Sequence, residues 1–161
     1  MIVREETEED RGPVAELLRQ AFGGEDEARL MARLRDEGDV ALALVAESGG
    51  AIAGHVAFSP MKAPFAALGL APLAVHPEFQ GRGIGSALVR EGVRRARTGA
   101  WDAVFVLGEP DYYGRFGFSA GAASGFESPY AGPHFMLLAL ASRLPARTGR
   151  VDYVPAFSGL G

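Results

Sequence analysis

The apolar residues of the first forty positions follow two helical patterns after a short extended segment. Ile2 and Val3 predict a first strand. A second helix is expected between the acidic run 25–27 and Gly38. The apolar face of the first helix has the i, i+3, i+4, i+7, i+8 spacing and carries Val14, Leu17, Leu18, Ala21 and Phe22. The apolar face of the second carries Leu30, Met31 and Leu34.

The start of the first helix has two alternatives in the sequence. Thr7 and Asp10 have the spacing of a capping box, which would start the helix early. Pro13 instead suits the first helical position, with Gly12 as the cap. We expect the later start, because proline is preorganised for that position.

Two continuous apolar runs, 40–46 and 51–58, predict neighbouring strands. The four residues between them, Glu47, Ser48, Gly49 and Gly50, favour a turn and hence an antiparallel hairpin. The proline-containing segment 60–64 is expected to be a loop.

A strand, a helix and a strand follow in the middle of the chain. The run 68–75 predicts a strand in which Pro72 cannot donate to a ladder, so we expect a bulge there. Segment 83–98 predicts a helix with a basic, solvated side, and 103–107 predicts a buried strand. Such a crossover makes the two strands parallel, whereas the hairpin is antiparallel, so the fold class is α/β with a mixed sheet. A short helix over 112–116 and a strand over 134–140 complete the prediction.

Composition narrows the class of protein. With 161 residues, 48% of them hydrophobic, we expect one globular domain over 1–161. Sixteen basic against twenty acidic residues give a net charge of −4, which favours neither nucleic acid nor a membrane surface as partner. The chain has no cysteine and its histidines are scattered, so no metal site is expected. No apolar segment has the length of a signal peptide or membrane span, so a cytoplasmic location is expected.

Three glycines stand where the central strand passes into the next helix. Gly81, Gly83 and Gly85 would let the backbone approach a ligand, and the free N–H groups of a helix start favour a phosphate. A tight turn with close packing is the alternative explanation. A Walker loop is excluded because the only lysine is Lys62. A Rossmann loop would need glycine at Ser86, although an acid near the next strand end keeps that alternative open.

The stretch Val75-x-Pro77-x-x-Gln80-Gly81-Arg82-Gly83-Ile84-Gly85 resembles the acyl-CoA-binding motif of the GNAT superfamily of N-acetyltransferases. The resemblance implies a mixed, mostly antiparallel sheet, flanked by helices, with a central parallel pair splayed apart to admit the pantetheine arm. It implies acetyl-CoA as co-substrate, with loop amides on its pyrophosphate and the Val75 N–H on its thioester carbonyl. The expected cofactor-binding residues are Leu73, Ala74, Val75, Gln80, Gly81, Arg82, Gly83, Ile84, Gly85 and Ser86.

A second stretch, Tyr112-Tyr113-Gly114-Arg115-Phe116-Gly117-Phe118, resembles a later motif of the same superfamily. Together with the preceding residues from Val106 it looks like the YhbS-like branch. The resemblance aligns Tyr113 with the tyrosine that protonates the departing thiolate, a role that a phenol beside the sulfur can perform. Phe116 and Phe118 are expected in the core, and core packing is the alternative for Tyr112 and Tyr113.

The general base is where the chain departs from the family pattern, because the strand 68–75 contains no acid. Glu109, at the end of the next strand, is our first candidate, and His55 is the second. Asp111 and His134 are weaker candidates, and His76 is expected to be structural. Arg82 is a candidate phosphate partner. For the helix arginines Arg90, Arg94 and Arg97, contact with the 3′-phosphate of coenzyme A competes with a solvated face supported by the pair Glu91 and Arg95.

The resemblance implies an N-acetyltransferase that moves the acetyl group of acetyl-CoA to a primary amine of a small molecule or peptide, by direct attack in a ternary complex. A catalytically idle acyl-CoA sensor and, less favoured, an NAD-type oxidoreductase are the alternatives. Segments 126–133 and 147–161 are expected to be loops that line a substrate pocket or a subunit contact. The family also makes a homodimer plausible.

Overall fold

The computed structural model describes residues 1–159, so the last two residues of the expected loop 147–161 lie outside the described part. A six-stranded sheet has the order β1-β2-β3-β4-β5-β7, and two short strands, β6 and β8, pair separately. The strands are β1 Ile2–Glu5, β2 Leu42–Ser48, β3 Ala51–Met61, β4 Ala67–Val75, β5 Ala103–Leu107, β6 Phe126–Glu127, β7 Phe135–Ala139 and β8 Gly149–Arg150. The helices are α1 Arg11–Phe22, α2 Asp26–Asp36, α3 Ile84–Thr98, α4 Pro110–Tyr113 and α5 Ala120–Ala123.

The mixed sheet predicted from the sequence is confirmed. Neighbouring strands of the main sheet are antiparallel except β4 and β5, which are parallel and joined by α3. The hairpin of β2 and β3 turns through Gly49 and Gly50, both of which have positive φ. Such backbone angles suit glycine, because it lacks a β-carbon.

The expected start of the first helix at Pro13, with Gly12 as cap, is wrong. The helix begins at Arg11, directly after a 3-10 turn over Glu8–Asp10. The Asp10 carboxylate accepts hydrogen bonds from the Thr7 amide (2.7 Å) and hydroxyl (3.0 Å), and Arg4 from β1 donates to both of its oxygens. The capping-box alternative therefore describes the chain before α1. Arg4, which belongs to the strand β1, reinforces this cap.

The strand β3 extends to Met61, so the prediction of a loop from Pro60 onward is wrong at its start. Pro60 lies opposite Leu68 of β4. On the other side, the ladder with β2 ends at the pair of Leu42 and Phe58. Beyond Phe58, β3 is therefore an edge on that side, where the missing N–H of proline is tolerated.

The core lies on both faces of the sheet. On one face, α3 packs Leu88 and Val89 against residues such as Val56 and Phe58, all fully buried. On the other face, α1 and α2 cover the sheet with a second buried cluster that includes Leu17, Leu18, Met31, Leu34, Val45, Ala57 and Ala74. Within residues 1–159, no helix is long and apolar enough to cross a membrane.

Candidate active site

The parallel pair β4 and β5 is hydrogen-bonded at one end only. The ladder consists of three residue pairs and ends where Gly69 faces Phe105. The rest of β4, from Leu70 to Val75, has no partner on β5 among the described residues. A gap therefore opens between the two central strands, as the family resemblance implies.

The bulge predicted at Pro72 is confirmed on the other side of β4. Val56 of β3 pairs with Leu73, and Phe58 pairs with Leu70, so the single residue Ala57 faces two residues of β4. A bulge of this kind increases the local twist and bends the strand that carries it. It lies beside the gap, at the place where β4 leaves β5.

The backbone of Val75 presents its polar groups to the gap. The next amide, that of His76, donates to the carbonyl of Ala53 on β3 (2.8 Å). Since successive amides of a strand point to opposite sides, the Val75 N–H points away from β3. The Gln80 side-chain amide donates to the Val75 carbonyl (3.4 Å), which brings Gln80 to the same side.

The loop between β4 and α3 has the conformation that its glycines predict. Gly81 and Gly83 have φ of 78° and 79°, and no described residue has an atom within 4 Å of the place where a β-carbon on either would be. Gly83 precedes α3 as its N-cap, so the free N–H groups of the first helical turn face the same space. The loop is therefore an open concave surface of backbone amides, which suits an anion.

His76 has the structural role expected for it. Its Nδ1 accepts a hydrogen bond from the Glu78 amide (3.1 Å) and thereby caps the 3-10 turn Pro77–Phe79.

Gly85 leaves room for the side chain of Tyr112, a contact that the sequence analysis did not predict. A β-carbon on Gly85 would lie 2.6 Å from the hydroxyl oxygen of Tyr112 and 3.5 Å from Cγ2 of Val75. Tyr112 therefore reaches across from α4 to the first turn of α3. Core packing alone, the alternative considered for Tyr112, does not describe this residue. Its hydroxyl lies beside the glycine loop, residues 76–83 between β4 and α3. No local spacing could have predicted this contact, which joins residues from two separate helices.

Tyr113 packs at the end of β5. A β-carbon on Gly108 would lie 2.5 Å from Cε2 of the Tyr113 ring, which explains the glycine there. The ring contacts Phe118 edge-on at 5.7 Å and Tyr112 at 5.0 Å. Burial, with a smaller contribution from Tyr112, raises the pKa of Tyr113 to about 12. The phenol is thus protonated at neutral pH, as a proton donor must be.

Tyr153 lies at the point where the gap begins, and no motif indicated it individually. A β-carbon on Gly69, the last paired residue of β4, would lie 2.6 Å from its Cε1. The ring also contacts Tyr130 edge-on at 5.5 Å. Burial raises the pKa of Tyr153 above its usual value, and the neighbouring Tyr130 and Tyr113 add to this effect. Tyr153 belongs to the segment 147–161, which was expected to be a loop lining a substrate pocket or a subunit contact; its described residues include the short strand β8 and a 3-10 turn over Pro155–Gly159.

Of the two candidate bases, only Glu109 follows the strand beside the gap. Its side chain is exposed, and its backbone carbonyl accepts hydrogen bonds from the amides of Tyr112 (3.1 Å) and Tyr113 (3.0 Å). Glu109 therefore begins the short helix that carries both tyrosines. The weaker candidates Asp111 and His134 are also exposed, and His134 Nδ1 lies 3.1 Å from the carbonyl of Gly108.

His55 occupies a different part of the molecule. Its side chain is fully buried, and it extends from β3 on the same face as Val45 and Ala74, which α1 and α2 cover. Nε2 lies 3.3 Å from Oε1 of Glu6, although the angles do not form a hydrogen bond. Arg35 of α2 donates to the same carboxylate at 2.5 Å. Although burial opposes it, contact with His55 and Arg35 lowers the pKa of Glu6.

The arginines of α3 fall into two groups. Arg95 binds Glu91 in the predicted i, i+4 pair, and Arg94 binds the same carboxylate from the i+3 position. The pKa of Glu91 falls to about 2 chiefly because Arg94 donates to it. Arg90 lies instead over the ring of Phe116 at 5.1 Å. Arg82 of the loop lies over Phe79 at 5.2 Å.

Known proteins resemble this chain in sequence and in structure. Residues 39–120 match the family model described as an acetyltransferase (GNAT) domain. The uncharacterized N-acetyltransferase YhbS of Escherichia coli (strain K12) is 36% identical over 165 aligned positions, which cover 98% of this chain and 99% of the relative.

Two solved structures extend the likeness to the whole fold. The crystal structure of E. coli YhbS in complex with CoA matches with a TM-score of 0.93 at 35% identity, over 99% of this chain and 93% of that one. A GNAT family acetyltransferase from Brucella melitensis in complex with acetyl-CoA matches with a TM-score of 0.82 at 32% identity, over 97% of each chain.

Proposed function

The chain belongs to the GNAT family of acetyltransferases, and from this membership we propose that it transfers the acetyl group of acetyl-CoA to a primary amine. The observation that carries the proposal is the gap between β4 and β5, which opens beside the glycine loop at the start of α3. A thioester with a phosphorylated tail needs both features, an open slot for its arm and an amide-lined surface for its phosphates.

The co-substrate is proposed to bind through the residues that the motif indicates. CoA and acetyl-CoA are bound in the two related structures, and here the spaces beside Gly81 and Gly83 are open to receive a pyrophosphate. The gap receives the pantetheine arm beside Leu73 and Ala74. The Val75 N–H, which points away from β3, donates to the thioester carbonyl. The full proposed set is Leu73, Ala74, Val75, Gln80, Gly81, Arg82, Gly83, Ile84, Gly85 and Ser86.

The reaction proposed is direct attack in a ternary complex. The neutral amine nitrogen forms a bond to the thioester carbon, the carbon–sulfur bond breaks, and the electron pair leaves with sulfur. Tyr113, which packs at the end of β5 and keeps its phenolic proton at neutral pH, gives that proton to the thiolate. The attacking nitrogen loses one proton, so that the products are an amide and a free thiol.

Glu109 is the proposed acceptor of the amine proton. It follows β5 at the open end of the gap, and its exposed carboxylate has no ion-pair partner in the part of the chain that is described. His55 is less suited to this role, since α1 and α2 cover the face on which it is buried against Glu6.

Acceptor screening tests the proposal. The purified chain is incubated with acetyl-CoA and a panel of primary amines, small molecules and peptides, while release of free thiol is followed. We expect at least one amine to accelerate thiol release in a saturable manner. Tight acetyl-CoA binding without amine-dependent release across the panel would favour a sensor, and absence of acetyl-CoA binding would contradict the proposal altogether.

A further inference from the structure

Arg115 is a cation held at the glycine loop, and among residues 1–159 it has no acidic partner. Its Nη2 donates to Oγ of Ser86 in the first turn of α3 (3.0 Å), and its Nε donates to the Tyr112 carbonyl (3.2 Å). Asp111 lies four residues earlier, at the usual spacing of a helical ion pair. Nevertheless, no carboxylate in residues 1–159 forms a salt bridge with Arg115.

Aromatic rings hold the guanidinium in this position. It lies over the Tyr112 ring at 4.6 Å and over Phe116 at 5.1 Å. Arg90, one helical turn beyond Ser86, contacts the ring of Phe116 as well. Stacking on aromatic faces fixes an arginine while leaving several of its N–H donors free for a ligand.

The position is electrostatically unfavourable in the absence of an anion. The start of α3 carries the partial positive charge of the helix dipole, and Arg115 adds a full positive charge beside it. Arg82, on the loop before α3, also has no acidic partner in the described structure. A phosphate group at this place would neutralise these charges and accept the free N–H groups of both the arginine and the helix.

We propose that Arg115 binds a phosphate of the CoA co-substrate, and thereby determines affinity for the nucleotide end of that molecule. The inference rests on the proposed function and adds a CoA-binding residue from outside the glycine-loop motif. The short segment 110–116 would then both carry the proposed proton donor and bind a phosphate. Because Arg115 and Tyr113 belong to that segment, a phosphate held by Arg115 fixes the proposed proton donor against α3.

Calorimetric titration of the full chain with CoA and with dephospho-CoA tests this inference. Loss of a charge-assisted hydrogen bond predicts that Arg115→Ala weakens CoA binding about 10- to 100-fold. Arg115→Lys keeps the charge but loses the planar fork and the stacking. Its affinity for CoA should therefore lie between those of the wild type and Arg115→Ala. Arg143→Ala is the matched control, because Arg143 is exposed and follows β7 near the opposite end of β5.

Dephospho-CoA identifies which phosphate is bound. If Arg115→Ala weakens CoA but not dephospho-CoA, Arg115 binds the 3′-phosphate; if it weakens both equally, Arg115 binds the pyrophosphate. Wild-type CoA binding that is matched by a folded Arg115→Ala variant would overturn the inference and leave the proposed function intact. Failure of the wild-type chain to bind CoA would instead refute the proposed function itself.

Discussion

The hydroxyl oxygen of Tyr112 occupies the space that a β-carbon on Gly85 would need, at a separation of 2.6 Å. This contact connects the short helix after β5 with the first turn of α3. It explains why the third glycine of the motif is needed although its φ is not positive. A side chain at this position therefore requires Tyr112 to move, whereas the backbone conformation does not oppose it.

Gly85→Ala should therefore move Tyr112 and disturb the glycine loop, which is proposed to bind the phosphates of acetyl-CoA. We expect acetyl-CoA affinity to fall about 10-fold or more, with a stability loss of about 1–3 kcal/mol from overpacking. Calorimetry and thermal unfolding measure the two effects. Gly12→Ala is the control: within residues 1–159 no atom lies within 4 Å of its β-carbon position in α1, so it should leave affinity unchanged. Equal affinity of both variants would show that Tyr112 and Gly85 do not shape the binding surface.

Tyr113→Phe should keep the ring packing and remove the proton donor. General acid catalysis contributes about 10²- to 10⁴-fold, so kcat should fall by that factor while acetyl-CoA binding remains nearly the same. Tyr112→Phe should instead change the KM for acetyl-CoA, since its hydroxyl lies beside the loop. Steady-state kinetics and melting curves of both variants separate these effects. Full turnover in Tyr113→Phe would exclude the proton-donor role.

The raised pKa of Tyr113 also predicts the alkaline behaviour. With a folded pKa of about 12 against about 10 in the unfolded chain, the neutral phenol stabilises the fold fully below pH 10, and this contribution is lost between pH 10 and 12. The kcat profile should show no inflection from Tyr113 near pH 10. An inflection there that vanishes in Tyr113→Phe would mean that the phenol titrates as an exposed group does.

Glu109→Gln should depress the rate most where the acceptor amine is still protonated. Below the pKa of the amine, the proton must be removed before attack, so loss of the base matters there most. His55→Gln should change the profile less, since His55 lies on the face that α1 and α2 cover. Rates of both variants across the pH range test this order. Identical profiles for wild type and Glu109→Gln would remove Glu109 from the mechanism.

Acid stability should depend on Asp10. Arg4 lowers the pKa of Asp10, and the Thr7 bonds add to the effect against the opposing influence of burial. The carboxylate therefore stabilises the fold above about pH 4, and this contribution is lost as the pH falls further. Asp10→Asn should lower the free energy of unfolding by about 2 kcal/mol at pH 7, and by less at pH 3.

Denaturant titration at both pH values measures this difference. Glu16→Gln, in an exposed pair with Arg19, serves as control and should leave the stability unchanged. A loss in Asp10→Asn that is the same at pH 3 and pH 7 would show that ionisation of Asp10 is not its cause.

Local patterns predicted the parts of the fold that depend on neighbours in sequence. The alternation of strand, helix and strand from 68 to 107 predicted the parallel pair, and Pro72 predicted the bulge. At the start of α1, local spacing offered both the capping box and Pro13, and the contact of Arg4 with Asp10 from another element, which supports the capping box, is not visible in local spacing. Pro60 was assigned to a loop because the sequence does not show that β2 ends opposite Phe58.

The candidate site divides similarly. The glycine loop and Tyr113 lie in contiguous motifs, so their residues can be recognised from the order of amino acids alone. Tyr153 contacts Gly69 from a loop more than eighty residues away in sequence, and its position depends on how the C-terminal segment folds back. Arg115 was part of a motif, but only the fold places its guanidinium on Ser86.

Product analysis with isotopically labelled acetyl-CoA tests acetyl transfer most directly. For an accepting amine found by screening, mass spectrometry measures labelled acetyl groups on the amine nitrogen while a thiol assay measures free CoA. Direct attack in a ternary complex predicts one labelled amide for each thiol released, with no label left on the protein. Thiol release without labelled amide, or label that accumulates on the protein before the amine is added, would contradict the proposed reaction.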